Sequence, residues 1–238
     1  MRKAIILSLL SVLFWSALSS GQLLITNPNW KNGEKFSYEV RFRDTLIGSM
    51  NYLITDTLFD KIKVYQIKVT TDVGLRGQNT ADTVFLLVRQ QNLKPLYSNR
   101  TLITPQLSVK FKAQYLTDRV KVSMVSTQGA KETEMSFPED GYDNDEMTLI
   151  LRALNLRPGA EYTFKDVSPM SLTNYAVEVS VLQPEKVRTR LGVFLCNKVK
   201  MKVAGKEADI WYQKNKPNHM VKYADLQSGT TMLLKALK

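Results

Sequence analysis

Alternation of apolar and polar residues organises most of the chain. In KFSYEVRF, Phe36, Tyr38, Val40 and Phe42 fall on one side of an extended backbone, with Ser37, Glu39 and Arg41 on the other. A period of two sets one side of a strand against a core and leaves the other to solvent. VKFKAQY repeats the pattern, with Val109, Phe111, Ala113 and Tyr115 against Lys110, Lys112 and Gln114, and RVKVSMV and NYAVEVSVL follow it. Polar turns such as Asp44-Thr45, Thr117-Asp118, Gln128-Gly129 and Gly205-Lys206 separate the runs. This spacing predicts an antiparallel meander of roughly ten to thirteen strands. In KIKVYQIKV the phase slips from Ile62 and Val64 to Tyr65, Ile67 and Val69, which predicts a β-bulge and a curved sheet.

One segment leaves the pattern. In YDNDEMTLILRALNLRPG, Met147, Ile150, Leu151 and Leu154 recur at helical spacing. Asp143 or Asn144 can cap the start, Asp145 and Glu146 suit the positive end, and Pro158-Gly159 is a stop signal. A lone helix among strands buries its stripe most simply on the concave side of the sheet. The expected fold is therefore mainly β: a single large curved antiparallel sheet or open half-barrel, with one amphipathic helix near residues 143–156 packed on its concave face.

The first residues differ in kind. Arg2 and Lys3 precede the apolar run AIILSLLSVLFWSAL, and SSGQ supplies small residues for cleavage. The run is shorter than the roughly 20 residues that span a bilayer core. Residues 1–21 thus read as a signal peptide, 22–32 as an N-terminal extension, and 33–238 as one antiparallel β domain. The expected location is the periplasm or cell envelope, with no transmembrane span after cleavage.

Charge and chemistry narrow this only a little. A formal charge of +11 raises nucleic acid as a partner, but export argues against it. Anionic glycan, lipid headgroups or an envelope protein fit better, docked on a basic face drawn from Lys110, Lys112, Lys121, Lys198, Lys200 and Lys202. The lone cysteine, Cys196, sits in GVFLCNKVKMKV, and the lone histidine, His219, in NKPNHMVKY. Lys198 could favour a thiolate. A catalytic thiol also needs a base and an orienting partner, and nothing in the sequence brings His219 near. On that strand Val193, Leu195, Val199, Met201 and Val203 form the better core face, leaving Cys196 at the boundary. One cysteine and one histidine make a zinc site unlike the usual ones. DGYDNDE offers Asp140, Asp143, Asn144, Asp145 and Glu146 but lacks the register of an EF-hand loop, and reads as a loop capping the helix. No phosphate loop, nucleophile elbow or His-Glu-x-x-His pair occurs. No catalytic residue, cofactor or metal is expected.

Several stretches carry a resemblance. GEKFSYEVRF with Gly48 in the next strand, LRALNLRPGAEYTF, TRLGVFLCNKVKMKV and DIWYQ resemble, in that order, elements of the exported bacterial family called domain of unknown function 3108. The chain departs from the family pattern after Trp211, where Pro217 comes early and HMVKY follows. The resemblance implies an exported, largely antiparallel β-protein of the Gram-negative envelope and no assigned catalytic residues. By analogy of fold, it suggests a half-barrel plugged by a helix. The expected function is non-catalytic binding or assembly of an apolar or amphiphilic envelope component, in a cavity lined by Phe36, Tyr38, Phe42, Met147, Leu151 and Trp211. The alternative is a surface interaction protein acting through its basic strand faces.

Overall fold

The computed structural model describes residues 25, 28, 30–75 and 77–238; the expected signal peptide lies outside the described residues. The first eight strands are β1 (Glu34–Phe42), β2 (Thr45–Phe59), β3 (Ile62–Leu75), β4 (Gln78–Arg89), β5 (Pro95–Ile103), β6 (Ser108–Tyr115), β7 (Arg119–Ser126) and β8 (Gly129–Ser136). They form an antiparallel meander, each paired with the next. A short strand, β9 (Gly141–Asp143), leads through a 3-10 turn (Asn144–Glu146) into helix α1 (Met147–Ala153). Seven strands follow: β10 (Glu161–Ser168), β11 (Thr173–Val181), β12 (Glu185–Thr189), β13 (Gly192–Val203), β14 (Lys206–Gln213), β15 (Met220–Asp225) and β16 (Thr230–Leu237). β16 pairs antiparallel with β1 and so joins both groups into one sheet. The pairing of β9 with β10 is parallel.

The sixteen strands exceed the ten to thirteen expected. Strands such as β8, GAKETEMS, are exposed along most of their length, so their sequence carries no alternation. The bulge expected in β3 is absent: its register with β2 and β4 runs unbroken, and Val64 and Tyr65 are buried side by side on opposite faces. Register shifts occur elsewhere, at Val40/Arg41, Ser37/Tyr38, Leu87/Val88 and Trp211/Tyr212.

β8 and β9 lie at the two ends of the strand order, yet only residues 137–140 separate them in the chain. So short a link spans less than about 18 Å, and the sheet must curl until its edges meet. Side chains, rather than ladder hydrogen bonds, make the seam. Asn174 Nδ2 donates to the Ser136 carbonyl at 3.1 Å. Val167 of β10 packs with Ala113, Tyr115, Val120 and Val122 from β6 and β7. The result is barrel-like but not closed.

The helix fills the interior. Met147, Ile150, Leu151 and Leu154 are buried as their spacing predicts, but so are Leu149, Arg152 and Ala153 on the remaining faces. A helix buried all round is a plug rather than a one-sided lid. The 3-10 turn that leads into it starts with a capping box: Asp145 N donates to Asp143 Oδ1 at 2.8 Å, and Asp143 N donates to Glu146 Oε1 at 2.9 Å. The helix ends at Ala153, short of the expected 156, because Leu154 is extended and Tyr162 Oη holds the Asn155 carbonyl at 2.5 Å.

Arg152 anchors the last turn. Its guanidinium donates to Glu34 Oε1 at 2.9 Å and to the Pro217 carbonyl at 3.2 Å, below the rings of Trp30 and Phe36. His219 binds the same Glu34 oxygen. Trp30, in the expected extension, is itself core, 4.9 Å from the Tyr65 ring.

A further ribbon wraps the outside. Glu185 pairs with Cys196 and Val187 with Phe194, so these four share a face. Glu185 accepts from Trp211 Nε1 at 2.9 Å, and Arg190 at the ribbon tip reaches Glu39 of β1 at 3.1 Å. The β12–β13 ribbon therefore folds across the outer surface of β14 to β16. That corrects the expected face of β13. Cys196 is fully buried beneath the ribbon, whereas Val193 and Leu195 are 55% and 46% exposed because the strand has left the barrel there.

Two stability outcomes follow. A Cβ on Gly48 would lie 2.0 Å from the Asp72 carbonyl oxygen and 2.7 Å from Val73 Cα, so backbone would have to move. Gly48→Ala is expected to cost about 3 kcal/mol or more, and an unchanged denaturation midpoint would refute that close approach. Arg152→Ala is expected to cost about 3–5 kcal/mol by stranding Glu34, with part recovered in Arg152→Met/Glu34→Gln; urea unfolding of the three proteins measures both.

Candidate functional site

The barrel is blocked by α1 but not filled to its rim. Around the start of the helix lies an open cavity of about 570 Å³. Its walls are the inner-face side chains at one end of the sheet: Met50 and Tyr52 of β2, Met201 and Val203 of β13, Tyr223 of β15 and Met232 of β16, with Met147 of α1 as floor. Register explains the grouping. Met201 lies opposite Ala208, and Tyr223 opposite both Ile210 and Met232, near the β13–β14 turn. Met50, Met201, Met232 and Tyr223 are only half-buried, although their strands are well packed below. Thioether side chains line apolar surface that can adapt to different shapes.

One corner of this mouth is acidic. Asp145 and Asp166 line it beside Asn144 and Thr148. Behind them the 3-10 turn carries Asp143, hydrogen-bonded by Tyr115, and the fully buried Glu146. Arg100 holds Asp82 through two hydrogen bonds, at 2.9 and 2.5 Å, and reaches Asp145 at 3.5 Å. Lys94 donates to the carbonyls of Glu139 and Gly141 at 2.6 and 2.8 Å over the Tyr142 ring, and burial lowers its pKa to about 8. Burial pushes Asp143 upward, and burial with the charge of Asp143 does the same to Asp145 and Glu146. Burial and the neighbouring Asp145 push Asp166 up to about 6. Among the described residues, no group of three or more His, Cys, Asp or Glu side chains is arranged to hold a metal.

The residues named from the sequence are dispersed. Of the six aromatic and aliphatic candidates, Met147 lines the mouth. Phe36, Tyr38 and Leu151 lie deeper in the packed core, where Phe36 stacks on Tyr52 at 4.8 Å and Tyr38 Oη donates to the Met220 carbonyl at 2.9 Å. Phe42 is half-buried at the far end of β1 beneath Arg43. Trp211 lies outside the barrel wall, under the β12–β13 ribbon, with Lys198 and Lys222 over its ring.

The six lysines form two rows on different arms of the sheet. Lys198 bridges Glu185 and Asp209, each at 3.2 Å, while Lys200 and Lys202 share Glu207 at 3.4 and 3.3 Å. Lys110, Lys112 and Lys121 are exposed on β6 and β7, where Lys121 faces Glu134 across the ladder. Neither row is a bare positive stripe.

Cys196 and His219 are held apart in function: burial pushes the thiol up to about 12, and the imidazole is engaged by Glu34 beneath the helix. Met50, Met201 and Met232 went unrecognised in the sequence. Their inner-face parity was readable, but nothing linear shows which strand ends converge.

Comparison with known proteins gives the relationship. The profile for "Protein of unknown function (DUF3108)" matches residues 37–235. The chain belongs to the DUF3108 family. A search of curated protein sequences returns no match. Among solved structures, the crystal structure of a β-barrel-like protein of domain of unknown function DUF1849 from Brucella abortus aligns with a TM-score of 0.57. The alignment covers 86% of this chain and 96% of that one at 11% identity, so the likeness is one of fold. This DUF3108 protein thus shares its curled, mainly β architecture with a protein of nearly unrelated sequence.

The acidic corner makes stability depend on pH. Carboxyls raised in the fold keep protons that the unfolded chain releases near pH 4, so their contribution is full below that value and is lost as pH rises through about 6. Glu34 acts oppositely. Burial alone would raise its carboxyl, but the His219 hydrogen bond and Arg152 bring it below its usual value, so its contribution is lost in acid. The melting temperature should peak at about pH 4 and fall toward about pH 7.5. Asp166→Asn should flatten that fall and raise stability at the upper end by on the order of 1 kcal/mol, allowing for partial exposure. A slope identical to that of the wild type in thermal melts across this range would contradict the assignment.

Proposed function

We propose that this protein is a non-catalytic, exported envelope protein that binds an apolar or amphiphilic component in the mouth of its barrel. The observation that carries this reading is the methionine-lined cavity left open above the helix. Its volume, about 570 Å³, is in the range of small-ligand sites. A packed core has no use for half-exposed methionines from β2, β13 and β16 converging on one hollow, whereas a binding surface for flexible apolar chains does. Further support comes from the rigidity beneath: the capped, fully buried helix gives the cavity a fixed floor.

Export is part of the proposal and rests on the basic, apolar and small-residue order of residues 1–21. No helix among the described residues is long and apolar enough to cross a membrane. Docking through the basic strand faces draws less support, since Lys198, Lys200 and Lys202 are each paired with acids.

Binding of the neutral apolar dye N-phenyl-1-naphthylamine tests the reading. The wild-type protein should bind it with a blue-shifted emission. Met201→Glu and Met232→Glu should weaken binding about tenfold, because a carboxylate must then be desolvated against the ligand. Both variants should keep the wild-type melting temperature, the side chains being half-exposed. Native mass spectrometry of protein taken from cell envelopes should show a bound amphiphile. Absence of both dye binding and a co-purifying molecule would sink the proposal.

A further inference from the structure

Four carboxylates and a single lysine, Lys206, line the mouth, an acidic balance in a chain of formal charge +11. Two of the four are already used. Glu207 is paired with Lys200 and Lys202, and Asp225 accepts from the backbone N–H groups of Gln227 and Ser228 at 2.9 Å. Asp145 is reached by Arg100 Nη1 at 3.5 Å, the longest contact of a guanidinium whose Nε and Nη2 hold Asp82. Asp166 remains, with no ion pair among the described residues. Asp166 has a buried Oδ1 with no hydrogen-bond partner. A partly exposed carboxylate at the rim of an apolar hollow, one oxygen of which is buried without a donor, is costly to keep charged, and a cation in the mouth lowers that cost through its field.

An anion site at the start of the helix is the competing reading. Its capping groups oppose that: Asp143 already accepts from Asp145 N, and acidic side chains occupy the first turn. An anionic head placed there would meet Asp143, Asp145 and Glu146 before it met a free donor. Lys206 is exposed on the β13–β14 turn.

Resting on the binding role argued above, we propose that the ligand is an amphiphile with a cationic amine head, its tail against Met50, Met201 and Met232 and its head against Asp145 and Asp166. The methionines take up the chain without demanding a particular length or branching. The carboxylates select the head, because opposite charges attract strongly where water is partly excluded.

The test displaces N-phenyl-1-naphthylamine from the mature protein with three twelve-carbon probes below their micelle concentrations: dodecyltrimethylammonium, dodecanoate and the neutral dodecyl maltoside. At about pH 8 the ammonium probe should bind at least about tenfold tighter than dodecanoate. Asp166→Asn should keep dye and maltoside binding but lose most of that preference. Asp145→Asn provides a second reading, and melting curves check that each variant is folded. Equal binding of all three probes, or an unchanged preference in both folded variants, overturns the amine head while leaving the apolar site intact. Tighter binding of dodecanoate that is lost in Lys206→Ala overturns it too. Failure of the wild type to bind dye or any probe overturns the site itself and the inference with it.

Discussion

A guanidinium buried inside an apolar barrel is the constraint around which the rest is arranged. Arg152 is 1% exposed, and removing such a charge from water costs several kcal/mol unless its donors are met. Glu34 at the start of β1 and the Pro217 carbonyl before β15 accept from its Nε and Nη2, and the rings of Trp30 and Phe36 face the cation. The three contributors come from the first strand, the helix and the late β14–β15 connection, so satisfying this one group ties distant parts of the chain to the plug. His219 completes the knot from the same connection. The helix, too short to be stable alone, is held by this anchor at one end and by the Asp143–Glu146 capping box at the other.

Position of the plug explains where the cavity lies. The anchored end of α1 sits among the packed aromatic rings of Trp30, Phe36 and Tyr38. The capped end stops short of the rim, and the strand ends around it carry mostly methionine and tyrosine. Hollow and core are therefore two ends of one interior. Asp145, in the turn that leads into the helix, faces the hollow beside Asp166 of β10, while the capping residues Asp143 and Glu146 lie buried behind them.

Outside the barrel the same economy of surface appears in the ribbon of β12 and β13. It buries Val187, Cys196 and Trp211 against the outer wall with Phe194 partly covered, which raises the thiol's pKa and places Lys198 beside Glu185 and Asp209. The seam between β8 and the β9–β11 edge is handled differently, by side-chain packing and the Asn174 hydrogen bonds. A sheet curled so far that its ends touch leaves little open edge for another chain to pair with. Fold likeness at 11% identity to the DUF1849 protein is understandable on these terms, since many sequences alternate well enough to make such a sheet.

Local physics was legible in the linear chain. Period-two alternation announced the inward faces of β1, β6 and β11, helical spacing located α1, and the Asp143 cap was visible as a polar residue before an apolar run. Gly48 belonged to a recognisable family motif, although only the approach of Asp72 shows why a side chain is excluded there. What tertiary structure alone decided depends on contacts between residues far apart in number. The role of Arg152 is one such case, since its partners, Glu34 and Pro217, lie across the barrel. Val193 and Leu195 had core parity but left the barrel with their strand, and Trp211 faces outward from β14, where the ribbon covers it. The methionines of the mouth shared no local signal, because a cavity is made by convergence of strand ends, and alternation specifies which face a residue takes but not which residues meet on it.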